Sequence, residues 1–129
     1  MGHKKDRNVP TISESEWVVM RALWDRSPRS LSEIVDVVTE QRAWNKKTVQ
    51  TLVGRLVKKG AVGVRKTKPR NHTYYARTKE DRCKRSEVNR FLDRIFDGDM
   101  SSMLSHVVQS DGLSSEQITA LKNILEEAE

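Results

Sequence analysis

The hydrophobic period of the chain changes at Gly60, and this change limits the possible fold more than any other feature of the sequence. Before Gly60, apolar residues recur at the spacing of one helical face, namely Val49, Leu52, Val53, Leu56 and Val57. After it, residues 61–67 and 72–77 are short runs rich in Val, Thr and Tyr, separated by turn-forming residues. The sequence therefore predicts a helix that begins after Asn45 and ends at Gly60, followed by a two-stranded hairpin.

Two further helices are predicted before this one. Ser13 with Glu16, and Ser30 with Glu33, have the spacing of a capping box, in which each side chain bonds the other residue's backbone N–H. Each box is followed by apolar residues at helical spacing. Three short helices and a hairpin make a winged helix-turn-helix, so the expected fold class is mainly α with a small β-hairpin.

The charge of the chain is divided by position. The 129 residues carry 24 Lys and Arg against 18 Asp and Glu, a net charge of +6. Residues 1–77 carry 17 basic and 7 acidic residues, a net +10, whereas residues 78–129 carry 7 and 11, a net −4. A basic half followed by an acidic half favours two separate tasks, although charged residues in a small domain also serve solubility alone.

The exposed side of the third helix carries residue types that reach DNA. Lys and Arg bind phosphate or guanine, Gln can pair with adenine, and Thr offers a hydroxyl and a methyl group. The candidate DNA contacts on this helix are Lys46, Lys47, Thr48, Gln50, Thr51 and Arg55. In the hairpin they are Lys66, Lys68 and Arg70, next to the flanking DNA backbone or minor groove. A solvated helix face and a solvated turn are the alternatives that the residues themselves leave open.

The remaining chain is predicted to form further amphipathic helices. Their apolar stripes are too long to be buried within so small a chain, which favours a homodimer. The expected dimerisation residues are Phe91, Leu92, Ile95, Met103, Leu104, Val107, Ile118, Leu121 and Leu125. A pliable ligand pocket formed by Met100, Met103 and Leu104 is the alternative.

These observations predict three segments. Residues 1–11 are expected to be a disordered basic arm, residues 12–78 the winged helix-turn-helix DNA-binding domain, and residues 79–129 a helical dimerisation subdomain. No apolar run approaches the roughly 18 residues that span a membrane, and the N-terminus lacks the apolar core of a secretory signal. Cys83, the single cysteine, cannot form an internal disulfide. A cytoplasmic protein is expected.

Several segments resemble the BlaI/MecI/CopY family of transcriptional repressors, in particular its penicillinase-repressor branch. The resemblance rests on residues 15–20 with Trp24, on residues 44–52 continuing through 55–60, and on Ile124-Leu125. It implies a dimer whose winged helices bind a palindromic operator and block transcription, while the C-terminal helices hold the two subunits together. In the antibiotic-resistance members of the family, a membrane sensor metalloprotease of the BlaR type leads to cleavage of the repressor within its dimerisation region. The resemblance implies the same pathway as a partner of this chain.

Two departures from the family pattern limit what the resemblance implies. The copper-sensing branch has paired C-terminal cysteines, and this chain has none there, so no bound metal is expected. Where the staphylococcal members have an Asn-Phe bond, an ungapped alignment places His106-Val107, which becomes the candidate cleavage bond.

No sequence feature predicts an enzyme or a cofactor site. The three histidines are scattered, and no HExxH, CxxC, GxGxxG or GxSxG pattern occurs. The expected partners are therefore double-stranded DNA and a second copy of the chain. The alternatives are a regulator that senses a small molecule and a protein-interaction module whose basic face binds an acidic partner.

Overall fold

The computed structural model of the chain describes residues 9–110 and 112–128, and of Lys68 the backbone alone. Residues 1–8, most of the predicted arm, lie outside this part of the chain. Six helices and three strands are described. In chain order they are α1 (Glu14–Asp25), β1 (Arg29–Ser30), α2 (Leu31–Gln41), α3 (Lys46–Lys59), β2 (Val62–Lys68), β3 (Asn71–Ala76), α4 (Glu80–Phe96), α5 (Met100–Gln109) and α6 (Ser115–Glu127).

The helix starts follow from local side-chain chemistry. The Ser13 and Ser30 hydroxyls accept hydrogen bonds from the backbone N–H groups of Glu16 and Glu33, whose carboxylates accept in return. Both predicted capping boxes are confirmed, and a third begins α6. Gly60 ends α3 with φ +84°, a left-handed conformation that favours glycine.

The hairpin is part of a larger sheet than the sequence predicts. β2 pairs with β3 as expected, but β3 also pairs with β1, so the antiparallel order is β1-β3-β2. In the added pairing, Arg29 lies opposite Tyr74 and Ser30 opposite Thr73. Two residues are too few to show an alternating pattern, and Ser30 also caps α2. The third strand is therefore invisible in the sequence.

The described chain forms two compact units, one ending at Glu87 and the other beginning at Val88. In the first unit, α1, α2, α3 and the sheet enclose an apolar core. Its buried side chains are Val9, Ile12, Val19, Met20, Ala22, Leu23, Ile34, Val38, Val49, Leu52, Val53, Leu56, Ala61, Val62 and Cys83. Sequence reasoning placed Val9 in the polar arm, yet its side chain lies in this core, because an isolated apolar residue has no pattern to reveal it.

The second unit contains the end of α4 together with α5 and α6. No residue of α5 or α6, both described throughout, is buried. None of the described helices is long and apolar enough to cross a membrane.

Candidate nucleic-acid interface

Helix α3 presents one face to the core and the opposite face to solvent. Val49, Leu52, Val53 and Leu56 are buried, so they fix the rotation of the helix about its axis. Residues spaced at i, i+4, i+7 and i+11 lie along the middle of the opposite face. These residues are Lys47, Thr51, Gly54 and Lys58, and all of them are exposed. Sequence reasoning gave Lys58 only a helix-end role and left it out of the contact set.

A groove of about 320 Å³ runs along one side of this face. Most of the predicted contacts on α3 line it together with the helix cap, namely Asn45, Lys47, Thr48, Thr51 and Arg55. Asn45 caps the helix by accepting a 2.9 Å hydrogen bond from the Thr48 backbone N–H. The structure therefore brings four of the predicted DNA contacts into one surface that runs along α3 from Lys47 to Arg55.

Gln50 lies on the other side of the helix. It borders a second groove, of about 390 Å³, between α3 and the sheet. Lys66 of β2 and His72 of β3, which pair across the hairpin, line the same groove. The predicted contacts thus divide into two groups on either side of α3.

Three basic side chains of α3 lack an acidic partner among the described residues. Within the described residues, no acidic side chain forms an ion pair with Lys46, Lys47 or Arg55. Lys46, like the others, is exposed. Uncompensated cations on an exposed helix attract anionic partners such as phosphate groups.

The hairpin adds further cations. Arg70 is exposed in the turn, and the Lys68 side chain lies outside the described part of the structure. Arg65 was missed by sequence reasoning, and its guanidinium lies 5.0 Å from the centre of the Tyr75 ring. The ring covers Gly63, where an added Cβ would lie 2.3 Å from Tyr75 Cζ. A side chain at position 63 would therefore displace this ring, with which the Arg65 guanidinium makes a cation–π contact.

An ion pair connects the C-terminal end of α3 to the first turn of α1. Lys59 Nζ donates hydrogen bonds to Glu16 Oε1 and to the Thr11 carbonyl oxygen. Burial opposes ionisation of the Glu16 carboxyl, but the bonds from Lys59 and from Ser13 outweigh it, so the pKa of Glu16 lies below its ordinary 4.5. The sequence assigned these two residues only to a capping box and a helix end.

The predicted dimerisation residues do not all lie at the surface. Phe91, Ile95, Val107 and Leu125 are exposed, whereas Met103, Leu104, Ile118 and Leu121 are half-buried. Leu92 differs from all of these, because only 5% of it is exposed. Since Phe91 and Ile95 lie on the exposed side of α4, Leu92 lies on the covered side within its own chain.

The candidate cleavage bond between His106 and Val107 lies inside α5. The His106 ring meets the ring of Phe96 edge-on at 5.3 Å, and its Nδ1 lies 3.0 Å from the Ser102 carbonyl oxygen. In the described part of the chain, no group of three or more His, Cys, Asp or Glu side chains could hold a metal ion.

The three-helix core, the small sheet and the basic face of α3 define a winged-helix DNA-binding protein. The model of the penicillinase repressor family matches residues 12–127, nearly the whole chain. The chain belongs to this family and is a DNA-binding transcriptional repressor, which confirms the resemblance found in the sequence.

Individual relatives agree with this assignment. The methicillin resistance regulatory protein MecI of Staphylococcus aureus strain N315 is 32% identical over 120 residues, covering 93% of this chain and 97% of MecI. The penicillinase repressor of Bacillus licheniformis is 33% identical over 121 residues, covering 94% of each chain. The solution structure of monomeric B. licheniformis BlaI with the blaP half-operator matches with a TM-score of 0.51 at 32% identity, covering 57% of this chain and 89% of that one.

Proposed function

We propose that the chain represses transcription in the cytoplasm as a homodimer bound to a palindromic operator. In this proposal, the α3 helices of the two copies enter the major groove at two half-sites. The half-sites lie about one helical turn apart, roughly 34–36 Å, or a multiple of it. The observation that carries the proposal is the exposed face of α3, whose cations have no acidic partner among the described residues.

The side chains of α3 would divide the work of recognition. Lys46, Lys47 and Arg55 supply charge for phosphates, and Arg55 can also reach a guanine edge. Thr48 and Thr51 offer hydroxyl and methyl groups to neighbouring bases, while Gln50 can pair with adenine from the other side of the helix. Lys66, Lys68 and Arg70 of the hairpin would contact the flanking backbone or minor groove.

A mobility-shift assay on the DNA upstream of the protein's own gene tests this proposal. We expect a shift that resists competitor DNA, and footprinting that shows two symmetric protected half-sites. Affinity should fall steeply with salt, with a slope near −0.9 in log K against log salt for each phosphate contacted. Binding without sequence preference would instead favour a protein-interaction module for an acidic partner.

The contact surface is tested by Arg55→Ala, with Arg21→Ala as the matched control. Both arginines are exposed, but Arg21 belongs to α1 and lies outside the α3 face. Arg55→Ala should weaken operator binding by about 1–3 kcal/mol without changing self-association. Equal binding by the two variants would remove Arg55 from the contact surface.

The second unit supports the homodimer. Phe91, Ile95, Ile124 and Leu125 are between 44% and 61% exposed, far more than large apolar side chains are in a finished core. A second copy presenting the same helices would cover them with an identical apolar surface, as twofold dimers do. Sedimentation at micromolar concentration should give twice the mass of the chain.

We further propose that repression ends when the dimerisation region is cut, with His106-Val107 as the candidate bond and a BlaR-type membrane sensor as the start of the pathway. A bond within a helix is cut only after local unfolding, and α5, which has no buried residue, opens at low cost. Intact-mass measurement of the protein from induced cells should show a fragment ending at His106. Operator release without any fragment would favour a small-molecule signal.

A further inference from the structure

Glu16 is an unusual residue for the interior of a small domain. Only 1% of it is exposed, although it lies in the first turn of α1. Burying a carboxylate is costly unless charge and hydrogen bonds compensate. A capping box alone does not require burial, because Glu33 makes the same box at the start of α2 and is exposed. The burial of Glu16 therefore serves something other than the cap.

The partner of Glu16 is the last residue of α3. The Lys59 side chain is 36% exposed, and its Nζ donates to Glu16 Oε1 and, at 2.9 Å, to the Thr11 carbonyl oxygen. One ammonium group therefore joins the segment before α1, the first turn of α1 and the C-terminal end of α3. The exposed basic face lies on the same helix that this group holds.

A buried ion pair contributes little net stability compared with apolar residues of the same size, because desolvation offsets the attraction. Its geometry, however, is demanding. An ammonium that meets both a carboxylate and a carbonyl restrains the three segments that carry these groups more narrowly than apolar contacts do. Such a pair suits the task of fixing one position of α3.

We propose that Glu16 and Lys59 are positioning residues for DNA binding: their ion pair fixes the C-terminal end of α3 against α1, so that the whole α3 face meets the operator together. This inference rests on the proposed function. The pair acts through the helix and does not touch DNA. Releasing the ion pair leaves the helix formed but lets its end shift. The contacts along this helix of 14 residues then no longer fit the operator at the same time.

Glu16→Gln separates the ion pair from the cap. Glutamine completes a capping box as well as glutamate does, and this chain uses it so, with Gln117 bonded to Ser114 at α6. Glu33→Gln is the matched control, since it makes the same change in a box without a lysine. Lys59→Met removes the ammonium and keeps the stem, whereas Lys59→Arg restores a cation.

Each variant is assayed on the upstream duplex at a temperature where circular dichroism shows it fully folded. We expect Glu16→Gln and Lys59→Met each to lower operator affinity about fivefold or more. Glu33→Gln should stay within about twofold of the wild type. The double variant should bind no more weakly than the weaker single variant, because both changes release one contact. Lys59→Arg should recover most of the affinity lost by Lys59→Met.

The salt dependence separates positioning from direct contact. We expect Glu16→Gln and Lys59→Met to leave the slope of log K against log salt unchanged. A slope reduced by about 0.9 in Lys59→Met alone would make Lys59 a phosphate ligand and overturn the inference. Wild-type affinity in fully folded Glu16→Gln would overturn it too, and would reduce the pair to a structural role. A wild type that binds no operator would overturn the proposed function as well.

Discussion

The two units of this chain are built from similar amphipathic helices but treat their apolar faces in opposite ways. The first unit encloses fifteen apolar side chains in one core. The second contains every large hydrophobic side chain that is exposed in the described part of the chain. These are Val88, Phe91, Ile95, Met100, Val107, Val108, Ile124 and Leu125.

The difference shows that an apolar stripe on a helix predicts a face that will be covered. It does not predict whether the same chain or another molecule covers that face. In the first unit the covering surfaces come from neighbouring segments of the same chain, so the core is complete. In the second, helices α5 and α6 bury no residue, so their faces remain available to something outside the chain. The closed core of the first unit is explained if the DNA-binding unit folds by itself. The exposed apolar faces of the second are explained if that unit is completed by association.

The largest effect is expected from charges placed on the exposed apolar face of the second unit. Ile124→Asp combined with Leu125→Asp should abolish self-association, because it buries carboxylates in the proposed interface. Affinity for the full operator should fall at least about a hundredfold, since the avidity of two linked half-sites is lost. Sedimentation and mobility shift measure the two effects.

The control for that variant is Asn123→Asp, which adds a charge at an exposed polar position of the same helix. It should leave both association and affinity near wild-type values. If the double variant still forms dimers, the faces of α6 are not the interface, and the contrast between the units has another cause.

Truncation of a buried side chain in the first unit tests whether its apolar core is fully enclosed. Leu56 is fully buried in α3, so Leu56→Ala should lower the free energy of unfolding by about 2–5 kcal/mol. Trp17, Trp24 and Trp44 are the only tryptophans of the chain and all lie in the first unit, so urea titration followed by their fluorescence reports on it alone.

Leu125→Ala removes the same atoms from the second unit, which contains no tryptophan. It should change the free energy of unfolding reported by tryptophan fluorescence by less than about 0.5 kcal/mol, because the first unit keeps its own core. If Leu56→Ala and Leu125→Ala lowered the free energy of unfolding equally, the two units would unfold together. The contrast between a closed first unit and an open second unit would then be wrong.

Substitutions at matched helix caps have a smaller expected effect and test the same comparison between the two units. Ser13 and Ser114 cap α1 and α6 with the same box geometry, one in each unit. Ser13→Ala should lower the stability reported by tryptophan by about 1 kcal/mol. Ser114→Ala should leave that signal unchanged and instead reduce helix content by circular dichroism. A tryptophan response to Ser114→Ala would show that the units are coupled.

The smallest effect concerns Gly54, in the middle of α3. A Cβ added there would meet nothing within 4 Å. Gly54→Ala should therefore raise the stability of the first unit by roughly 0.5–1 kcal/mol through helix propensity. Gly60→Ala, at φ +84°, should lower it, because alanine rarely adopts that conformation. Thermal melts of both variants distinguish the effects, and destabilisation by Gly54→Ala would contradict the open space beside the helix.

Much of the first unit could be predicted because its signals are local. The capping boxes, Asn45, Gly60 and the change of period each depend on residues close in sequence, and the helix bounds agree with them. β1 and the burial of Val9 could not be predicted, since each depends on a partner far along the chain. The burial of Leu92 could not be predicted either, because a wide apolar stripe does not say which edge is covered.

The candidate site divides in the same way. Residue type and helical spacing were enough to select Lys47, Thr48, Thr51 and Arg55, which line one groove. The groove that Gln50 shares with Lys66 and His72, and the contact of Arg65 with Tyr75, appeared only with the sheet in place.

The sequence by itself determined where helices begin and end, which of their faces are apolar, and where positive charge collects. It did so because capping, propensity and periodicity act over a few residues. Only the tertiary structure decided which apolar faces are closed and that Lys59 reaches Glu16 and Thr11. Those outcomes depend on the packing of segments some 43 positions apart in sequence, whose spacing carries no local signal.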